Sequence, residues 1–478
     1  MAFSHDLVQE HYRMGREVRV RPFDTRDRIG RGIKTVTIVV FSLFLSACTQ
    51  GADLQPGPTP LVVPLDPEDS AAANENLATL DSPDAIRYGY TYHSPDGNRF
   101  VHGAGSLPEI TPIEIEVGFT PVWVVGVPTG AGSLWVTVSS RGEVLALLVA
   151  GGQARQVSID KDHYASGQPP LLGVNRQIVA LIGAAEGNGS LLSHPVVIHD
   201  RDAIAWIDPR GRLQLQTEEG SSILEVQALA DARILQDERG RLLFLSGPDE
   251  TYDHGVLGDS IEAVGITLVE TNPEFRIAKR ITVPEGLVIE GIMPLWHDLD
   301  GDGVREIIVT ASDRSSGARL LVYSETGLLI AESEAIGQGY RWRHQIAVVS
   351  PAPGEPPEIV SVRTPHIGGI LEYFRLSSDR LERVATAQGV TSHVIGTRNL
   401  DLALSGDFDG DGVVEVLLPD DSRRQLVAVQ RSQSGAAIEW SLPLAGTLST
   451  NLAATTDDRG QISVAAGLEN GTLWIWSP

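Results

Sequence analysis

The 478-residue sequence predicts an all-β protein, a β-propeller most simply made of seven blades of four-stranded antiparallel sheet. The first observation is a repeat. Apolar strands that follow turns recur at spacings of 46 to 65 residues, near Val122, Ile178, Leu242, Ile307, Ile359, Val416 and Ile462. The second observation is that each interval holds several short apolar strands separated by turns, which is typical of propeller blades. The third is that two of the intervals share one acidic turn.

The repeats are clearest in the last four intervals, and the first three are degenerate. Six or eight blades are therefore open alternatives to seven. The turns at 237–240 and 457–460 lack a series of acidic residues, and we interpret them as ordinary hairpin turns. The chain ends in a segment, 472–478, that reads as the third strand of its blade. A strand near the N-terminus would have to close the ring and cover the sheet edge, and 98–103 is the best candidate.

The shared acidic turns are residues 298–306 and 407–415, and both read D-x-D-G-D-G-x-x-E. Carboxylates at alternate positions, with glycines that let the chain curl, can surround one hard cation with oxygen atoms. We expect calcium in both turns, held by four side chains and one backbone carbonyl in each. The expected ligands are Asp298, Asp300, Asp302, Glu306 and the Val304 carbonyl, and then Asp407, Asp409, Asp411, Glu415 and the Val413 carbonyl.

The turns are not EF-hands, because an EF-hand needs a glutamate at its twelfth position and a helix on each side. The twelfth position is Val309 in one turn and Leu418 in the other, and strands flank both. The alternative is a pair of acidic turns without an ion. Four carboxylates within nine residues repel one another unless a cation lies among them, which favours calcium.

The two nine-residue motifs resemble the calcium loops of the FG-GAP/VCBS repeat family, whose blades also occur in integrin α-chains. A looser similarity extends over residues 98–478. The resemblance implies a β-propeller that carries calcium in some of its blades, with the loop joining the first and second strands of a blade. It implies no reaction.

The N-terminal region predicts export and lipid attachment. Four basic residues between 26 and 34 precede the apolar run 35–44, which is too short to span a bilayer comfortably. The following Leu-Ser-Ala-Cys resembles a bacterial lipobox, which implies cleavage before Cys48 and acylation of this single cysteine. An incidental cysteine after a plain signal peptide is the alternative, and Met14 is a possible start. We expect a signal peptide at 1–47, a disordered tether at 48–85 and the propeller at 86–478.

The chain is strongly acidic, with a formal net charge of −25. Residues 1–47 hold eight basic and five acidic side chains, so the remainder holds 29 basic and 57 acidic ones, a net charge of −28. Such a surface argues against nucleic acid as a partner. If the host has two membranes, the absence of Asp after the cysteine, where Thr49 stands, resembles the default outer-membrane sorting signal of bacterial lipoproteins.

Catalytic motifs such as a P-loop, G-x-S-x-G, H-E-x-x-H or C-x-x-C are absent from the sequence. Two loops at the end of the sheets opposite the calcium turns concentrate aromatic, arginine and histidine side chains. The candidate ligand-binding residues there are Tyr340, Trp342, His344, Arg363 and His366, and His393, Thr397, Arg398 and Asn399 could extend this face. The alternative is that Trp342 packs between blades and His366 is an ordinary turn residue.

Taken together, these patterns favour a lipid-anchored, calcium-binding propeller that binds an extracellular protein or glycan at the bacterial cell surface. A propeller enzyme is the main alternative, such as a polysaccharide lyase, a glycosidase or a quinoprotein dehydrogenase. A scaffold lipoprotein of envelope assembly is a third possibility. Fold alone does not choose among them.

Overall fold

The structure is a computed structural model. It describes residues 61–62, 86–130, 132–175, 178–184, 188–198 and 202–478. The predicted signal peptide, the predicted lipidation site Cys48 and almost all of the predicted tether lie outside these residues. No helix within the described part of the chain is long and apolar enough to cross a membrane.

The described chain is all-β, as the sequence predicts, with one short 3-10 helix at Leu107–Glu109. From residue 123 onward its strands form successive antiparallel groups, which we number meanders 1 to 8. Meander 1 contains Trp123–Thr129, Gly132–Val138, Val144–Ala150 and Gln153–Val157. Meander 2 contains Leu172–Val174 and Val179–Leu181, and meander 3 contains Val196–Ile198, Ala203–Ile207, Leu213–Thr217 and Gly220–Leu224.

The next three meanders are joined into one extended sheet by short pairings between them. Meander 4 contains Leu235–Gln236, Leu242–Asp249, Glu262–Glu270 and Arg276–Thr282. Meander 5 contains Leu295–His297, Glu306–Ser312, Arg319–Ser324 and Leu329–Ser333, and Val288–Ile289 links it to meander 4. Meander 6 contains Arg343–Val349, Glu358–Arg363, Ile370–Ser377 and Arg380–Gln388.

The last two meanders follow the same pattern. Meander 7 contains Leu404–Asp407, Glu415–Pro419, Gln425–Ser432 and Gly435–Pro443. Meander 8 contains Leu448–Thr456, Ile462–Leu468 and Thr472–Trp476. The seven repeat positions of the sequence analysis lie in or beside strands of seven meanders. Meander 3 has no such position, because its apolar strands fall inside the 64-residue interval between Ile178 and Leu242.

Strands near the N-terminus complete meanders 2 and 8. Arg87–Gly89 pairs with Leu172–Val174, and Ile113–Glu116 pairs with Thr472–Trp476 as the fourth strand of meander 8. Leu61–Val62 adds a short parallel pairing to Ile113–Glu116. The expectation that 98–103 closes the last meander is therefore wrong. The strand Phe100–Ala104 instead lies parallel to Leu404–Asp407 of meander 7, and it touches meander 8 through an isolated bridge between Ala104 and Gln461.

The core consists of apolar clusters that lie between consecutive meanders. One cluster joins meanders 1 and 2, a larger one joins meanders 2 to 5, and three more join 5 to 6, 6 to 7 and 7 to 8. A further cluster packs Trp135 and Leu147 of meander 1 against Leu473 and Ile475 of meander 8. The last meander thus shares a buried apolar face with the first.

Residues 90–104, here called the central segment, contact the first strands of several meanders. Tyr92 donates a hydrogen bond to the Ile234 carbonyl at 3.1 Å, just before meander 4. The Asn98 amide exchanges two 3.0 Å hydrogen bonds with the Val348 backbone in meander 6. From meander 8, Asn451 donates to the Thr91 carbonyl at 3.2 Å. One short segment therefore ties together strands that lie far apart in sequence.

A buried ion triad anchors the central segment. Asp401 accepts hydrogen bonds from Arg99 at 3.0 Å and from Arg233 at 2.7 Å, and all three side chains are almost completely buried. Burial alone would raise the pKa of Asp401, but Arg233 and Arg99 outweigh it and hold that pKa below its ordinary value. Asp401 is therefore charged, and it compensates the charge of one of the two buried arginines.

Candidate functional site

Both acidic turns join the first and second strands of their meanders. Residues 298–305 connect Leu295–His297 to Glu306–Ser312, and the second turn connects Leu404–Asp407 to Glu415–Pro419. The motif glycines Gly301, Gly303, Gly410 and Gly412 have φ between 80° and 85°. This left-handed conformation is accessible to glycine at little cost, which is why the motif needs glycine at these positions.

The two turns share one hydrogen-bond pattern. In the first, Asp298 accepts from the Gly301 and Gly303 amides at 2.7 and 2.9 Å, and the Leu299 amide donates to Glu306 Oε2 at 2.8 Å. In the second, Asp407 accepts from the amides of Gly410 and Gly412, and the Phe408 amide donates to Glu415 Oε2 at 2.7 Å. The backbone thus orients the carboxylates in the same way twice.

The carboxylates converge closely enough to hold a metal ion. Asp407, Asp409, Asp411 and Glu415 each offer an oxygen within 4.8 Å of the others, and Asp298, Asp300 and Glu306 do the same in the first turn. Asp302 is outside the first group. Its Oδ1 accepts a hydrogen bond from the Val304 amide at 2.7 Å. In the second turn, Asp411 Oδ1 likewise accepts a hydrogen bond from the Val413 amide.

The buried glutamates are the strongest sign that a cation belongs in these turns. Glu415 is fully buried, and its Oε1 has no hydrogen-bond partner among the described residues. Burial, with the neighbouring Asp409, Asp411 and Asp407, raises the pKa of Glu415 to about 8. Burial likewise raises the pKa of Glu306 to about 6, with Asp300 and Asp298 adding to the effect. A bound cation would remove this repulsion.

Meander 6 provides an internal comparison. Glu358 begins its second strand, at the position that Glu306 and Glu415 occupy in meanders 5 and 7, and it is fully buried. Its turn has no aspartate series. Glu358 is instead paired with Arg375 at 2.6 Å and with Arg431 at 3.1 Å. The glutamate at this position therefore has arginine partners in meander 6, where the aspartates are absent. Within the described chain, Glu306 and Glu415 form no such ion pair in meanders 5 and 7.

Two further side chains support the second turn and were not anticipated from the sequence. Gln430 donates to Asp411 Oδ2 at 3.0 Å, and Trp440 Nε1 donates to Asp409 Oδ2 at 3.1 Å. Gln430 lies opposite Glu415 in the strand register, and Ser324 lies opposite Glu306. The shorter serine instead interacts with Thr326, so Asp302 lacks the support that Asp411 receives. Only the strand register could have revealed this difference.

At the opposite end of the sheets, Trp342, His344 and His366 form one aromatic cluster together with His393. Trp342 stacks on His344 with centroids 4.9 Å apart and on His366 at 6.1 Å, and it meets His393 edge-on at 5.0 Å. Trp342 is buried and donates to the Glu290 carbonyl at 3.0 Å. It therefore contributes packing under the surface, and His366, which is half-buried, is the more accessible member.

Tyr340 and Arg363 lie apart from this cluster. Tyr340 is exposed, stacks on His254 at 5.0 Å and donates a hydrogen bond to Asp253. Arg363 is directed toward Glu372, 3.3 Å away, which Arg343 and Arg383 also contact. The residues that could extend this face are held by local hydrogen bonds. His393 donates to the Thr397 carbonyl at 2.8 Å, and Asn399 accepts from the Asp401 amide at 3.1 Å.

Residues 250–261, here called the capping loop, cover an acidic group on the same face. Val256 and Leu257 of the loop pack on Trp342, and the Gly396 amide donates to the Val256 carbonyl at 2.8 Å. Arg398 bonds Asp231 at 2.8 Å and also contacts Asp259 of the loop. The sequence did not single out this arrangement, because acidic residues are abundant throughout the chain.

Two buried glutamates, Glu262 and Glu290, belong to this acidic group. Glu290 contacts His254 at 2.5 Å and accepts a hydrogen bond from Ser312. Burial raises the pKa of Glu262 to about 9, with Glu290 and Asp231 adding to the effect, so its carboxyl is protonated at neutral pH. Both side chains are at most 1% exposed, so a ligand does not reach them in this conformation.

No family model matches the chain. No curated protein matches it either.

Proposed function

We propose that this chain is a lipid-anchored, calcium-binding β-propeller that acts as a binding module at the bacterial cell surface. The observation that carries the proposal is the repeated turn geometry around a buried glutamate that has no arginine partner in the described residues. Glu358, which lacks the aspartates, has two arginine partners at the same position. A positive charge therefore belongs beside this glutamate in every one of these three meanders.

Calcium is the cation that fits best. The available donors are carboxylate oxygens on a curled backbone, and hard oxygen donors in irregular, high-coordination arrangements are characteristic of calcium sites. The Val304 and Val413 carbonyls are the proposed backbone ligands, beside three converging side chains in the first turn and four in the second. When bound, calcium would supply positive charge that holds each turn against its sheet. The resemblance of both turns to FG-GAP/VCBS loops agrees with this assignment.

We further propose that the meanders are blades of one propeller. Apolar clusters between consecutive meanders, with one between the last and the first, are what a closed ring requires. The central segment, which bonds to meanders 6 and 8 and to the loops before meanders 4 and 7, would then occupy the channel. On this proposal the ring has eight blades, and meander 3 is the blade that the sequence-based count of seven omitted.

The binding surface in this proposal is the end opposite the calcium turns, where His366, Tyr340 and the capping loop lie. A binding module is favoured over a polysaccharide lyase because Arg363 is engaged by Glu372 and does not line a groove with His366. Burial of Glu262 and Glu290 under the capping loop also disfavours a glycosidase acting on a polymer, since both carboxyls must reach the bond.

The anchor and the location can be tested in cells. We expect the full-length protein to incorporate an alkynyl palmitate label and to be released by protease added to intact cells or to outer-membrane vesicles. Cys48→Ser should abolish the label and free the protein from the membrane fraction. Retention of the label by the variant, or complete protection from protease with a soluble cytoplasmic pool, would contradict the proposal. Crosslinking to one defined membrane protein would instead favour the scaffold alternative.

A further inference from the structure

A cleft beside His366 presents a set of hydrogen-bond acceptors that has no assigned role. It lies between the loop that joins the second and third strands of meander 6 and the turn after the second strand of meander 7. Its volume is about 330 Å³, and its lining includes His366, His393, Ile395, Asp421 and Arg423. That volume is at the lower end of small-ligand sites.

The hydrogen bonds of the two histidines fix their tautomers. His393 Nε2 lies 2.8 Å from the Thr397 carbonyl, which can only accept, so this nitrogen carries the proton. Burial lowers the pKa of His393 to about 3, so the ring is neutral and its Nδ1 is a bare acceptor. His366 Nε2 lies 2.8 Å from that Nδ1 and must be the donor.

The consequence for His366 is an unprotonated Nδ1. Burial, with the nearby His254, lowers the pKa of His366 to about 4, so at neutral pH the ring carries one proton, and this proton is on Nε2. Nδ1 is then an acceptor, and within the described residues it makes no hydrogen bond. The Thr397–His393–His366 chain thus leaves His366 with an acceptor nitrogen that is free of protein hydrogen bonds in the described residues, instead of a donor.

The remaining lining strengthens the same preference. The exposed Asp421 carboxylate is a second acceptor and has no hydrogen-bond partner among the described residues. Arg423 is turned to the neighbouring meander, where it donates to the Leu448 carbonyl at 2.8 Å and lies 3.4 Å from Glu469. Ile395 is 64% exposed and Ile367, next to His366, is 80% exposed, so apolar surface flanks the acceptors.

We propose that this cleft binds a neutral or amino-bearing sugar unit of a glycan, with His366 Nδ1 and Asp421 accepting hydrogen bonds from its hydroxyl or amino groups. Sugar rings combine many O–H donors with C–H faces that pack on apolar side chains. The acceptor lining and the net charge of −25 disfavour anionic glycans, because among the described residues the only cationic side chain that lines the cleft, Arg423, is engaged elsewhere. This inference rests on the proposed binding module and specifies its ligand class.

The test is calorimetric titration of the full chain, purified in detergent with calcium, against cellohexaose, chitohexaose, a chitosan oligomer and oligogalacturonate. We expect saturable binding of at least one neutral or amino-sugar probe and none of the acidic one. His366→Phe keeps an aromatic ring beside Trp342 but removes the acceptor, and it should weaken binding about tenfold, the effect of one lost hydrogen bond. His366→Asn, which restores an acceptor near the same position, should recover part of it.

Two further variants keep the test informative if substitution at His366 impairs folding. Asp421→Ala changes an exposed side chain and should also weaken binding, whereas His163→Phe, at an exposed histidine outside the cleft, should not. Failure of all neutral and amino-sugar probes, tighter binding of the acidic probe, or wild-type affinity in both His366→Phe and Asp421→Ala would overturn the inference. Capture of a surface protein in cells without any glycan binding would overturn the inference while leaving the binding module intact.

Discussion

At the residue scale, the partners of one buried glutamate distinguish the two acidic turns from ordinary turns. Glu306, Glu358 and Glu415 occupy the same position in three meanders, and all are buried. An ionised carboxylate is costly to bury without a compensating charge. Two arginines compensate Glu358, and aspartates that could hold a cation surround the other two glutamates.

Replacing these glutamates should have different effects on calcium dependence. Without a cation the raised pKa keeps Glu415 largely protonated, so Glu415→Gln should change the melting temperature with chelator little, whereas the calcium-induced rise should shrink because calcium binding needs the ionised carboxylate. Glu358→Gln leaves Arg431 buried without its partner, so it should destabilise the protein by about 3 kcal/mol with or without calcium. Denaturant unfolding of both variants with calcium and with chelator measures this, and equal calcium dependence of the two would contradict it.

Buried histidines predict a specific loss of stability in acid. His194 is 1% exposed, stacks on Tyr92 at 5.0 Å, and burial lowers its pKa to about 4. In the unfolded chain a histidine has a pKa of about 6.5, so on acidification the unfolded state takes up a proton before the folded state does. The contribution of neutral His194 to the free energy of unfolding is therefore complete above about pH 6.5 and falls as the pH drops toward about 4. This residue should contribute roughly 3 kcal/mol of that loss.

The pH effect is measured by denaturant unfolding between pH 7.5 and 4 at saturating calcium. His194→Gln should flatten the slope between pH 6.5 and 4, whatever its effect on stability at pH 7.5. His163→Gln, at an exposed position, is the matched control and should leave the slope unchanged. A slope that is the same in both variants would show that His194 is not buried in its neutral form.

At the scale of the element, the two turns share a backbone pattern but differ in what supports them from the neighbouring strands. Gln430 and Trp440 hold Asp411 and Asp409 in the second turn. Ser324, at the position that corresponds to Gln430, does not hold Asp302. Ligands that are already oriented lose less freedom on binding, so the second turn should bind calcium more tightly than the first.

The difference between the turns can be measured one site at a time. Asp300→Asn leaves the second turn as the main site, and Asp409→Asn leaves the first, so calcium titration of each variant reports one affinity. We expect the second turn to bind more tightly, and Gln430→Ala in the Asp300→Asn background should weaken it about fivefold, as expected for one hydrogen bond. Equal affinities, or no effect of Gln430→Ala, would show that the strand support is irrelevant.

At the scale of the whole molecule, the central segment connects meanders that are distant in sequence. Asp401 of the loop before meander 7, Arg233 of the loop before meander 4 and Arg99 of the central segment meet in one buried triad. Charged groups buried this deeply contribute to stability only when all partners are present. The triad therefore couples the N-terminal part of the described chain to the middle and to the C-terminal part.

Breaking the triad should weaken the whole fold. Asp401→Asn leaves two buried arginines without an ionised partner and should reduce the free energy of unfolding by about 3–5 kcal/mol. Asp458→Asn removes an exposed partner of Arg87, 3.6 Å away, and should change stability by no more than about 1 kcal/mol. Denaturant unfolding compares the two. Similar small effects would mean that the triad does not couple these segments.

The sequence predicted much of this architecture and missed the parts that depend on distant pairing. The nine-residue motifs predicted both turns, because their ligands and glycines are contiguous. The strand that completes meander 8 was misassigned, since Ile113–Glu116 and 98–103 are both short β-prone segments and only the pairing distinguishes them. Arg363 was grouped with His366 from proximity in sequence, but its strand directs it toward Glu372. Gln430, Glu262 and Glu290 carry no local signal at all.

The central claim is that the two acidic turns hold structural calcium. Its most direct test is the thermal unfolding of the full chain, purified in detergent, with calcium and with chelator, beside Asp300→Asn and Asp409→Asn. A ligand that binds only the folded state stabilises it in proportion to the logarithm of its concentration above Kd. We predict a calcium-dependent rise in melting temperature that each variant reduces, Asp409→Asn more than Asp300→Asn. An identical melting temperature in calcium and in chelator, for the wild type and both variants, would contradict the account.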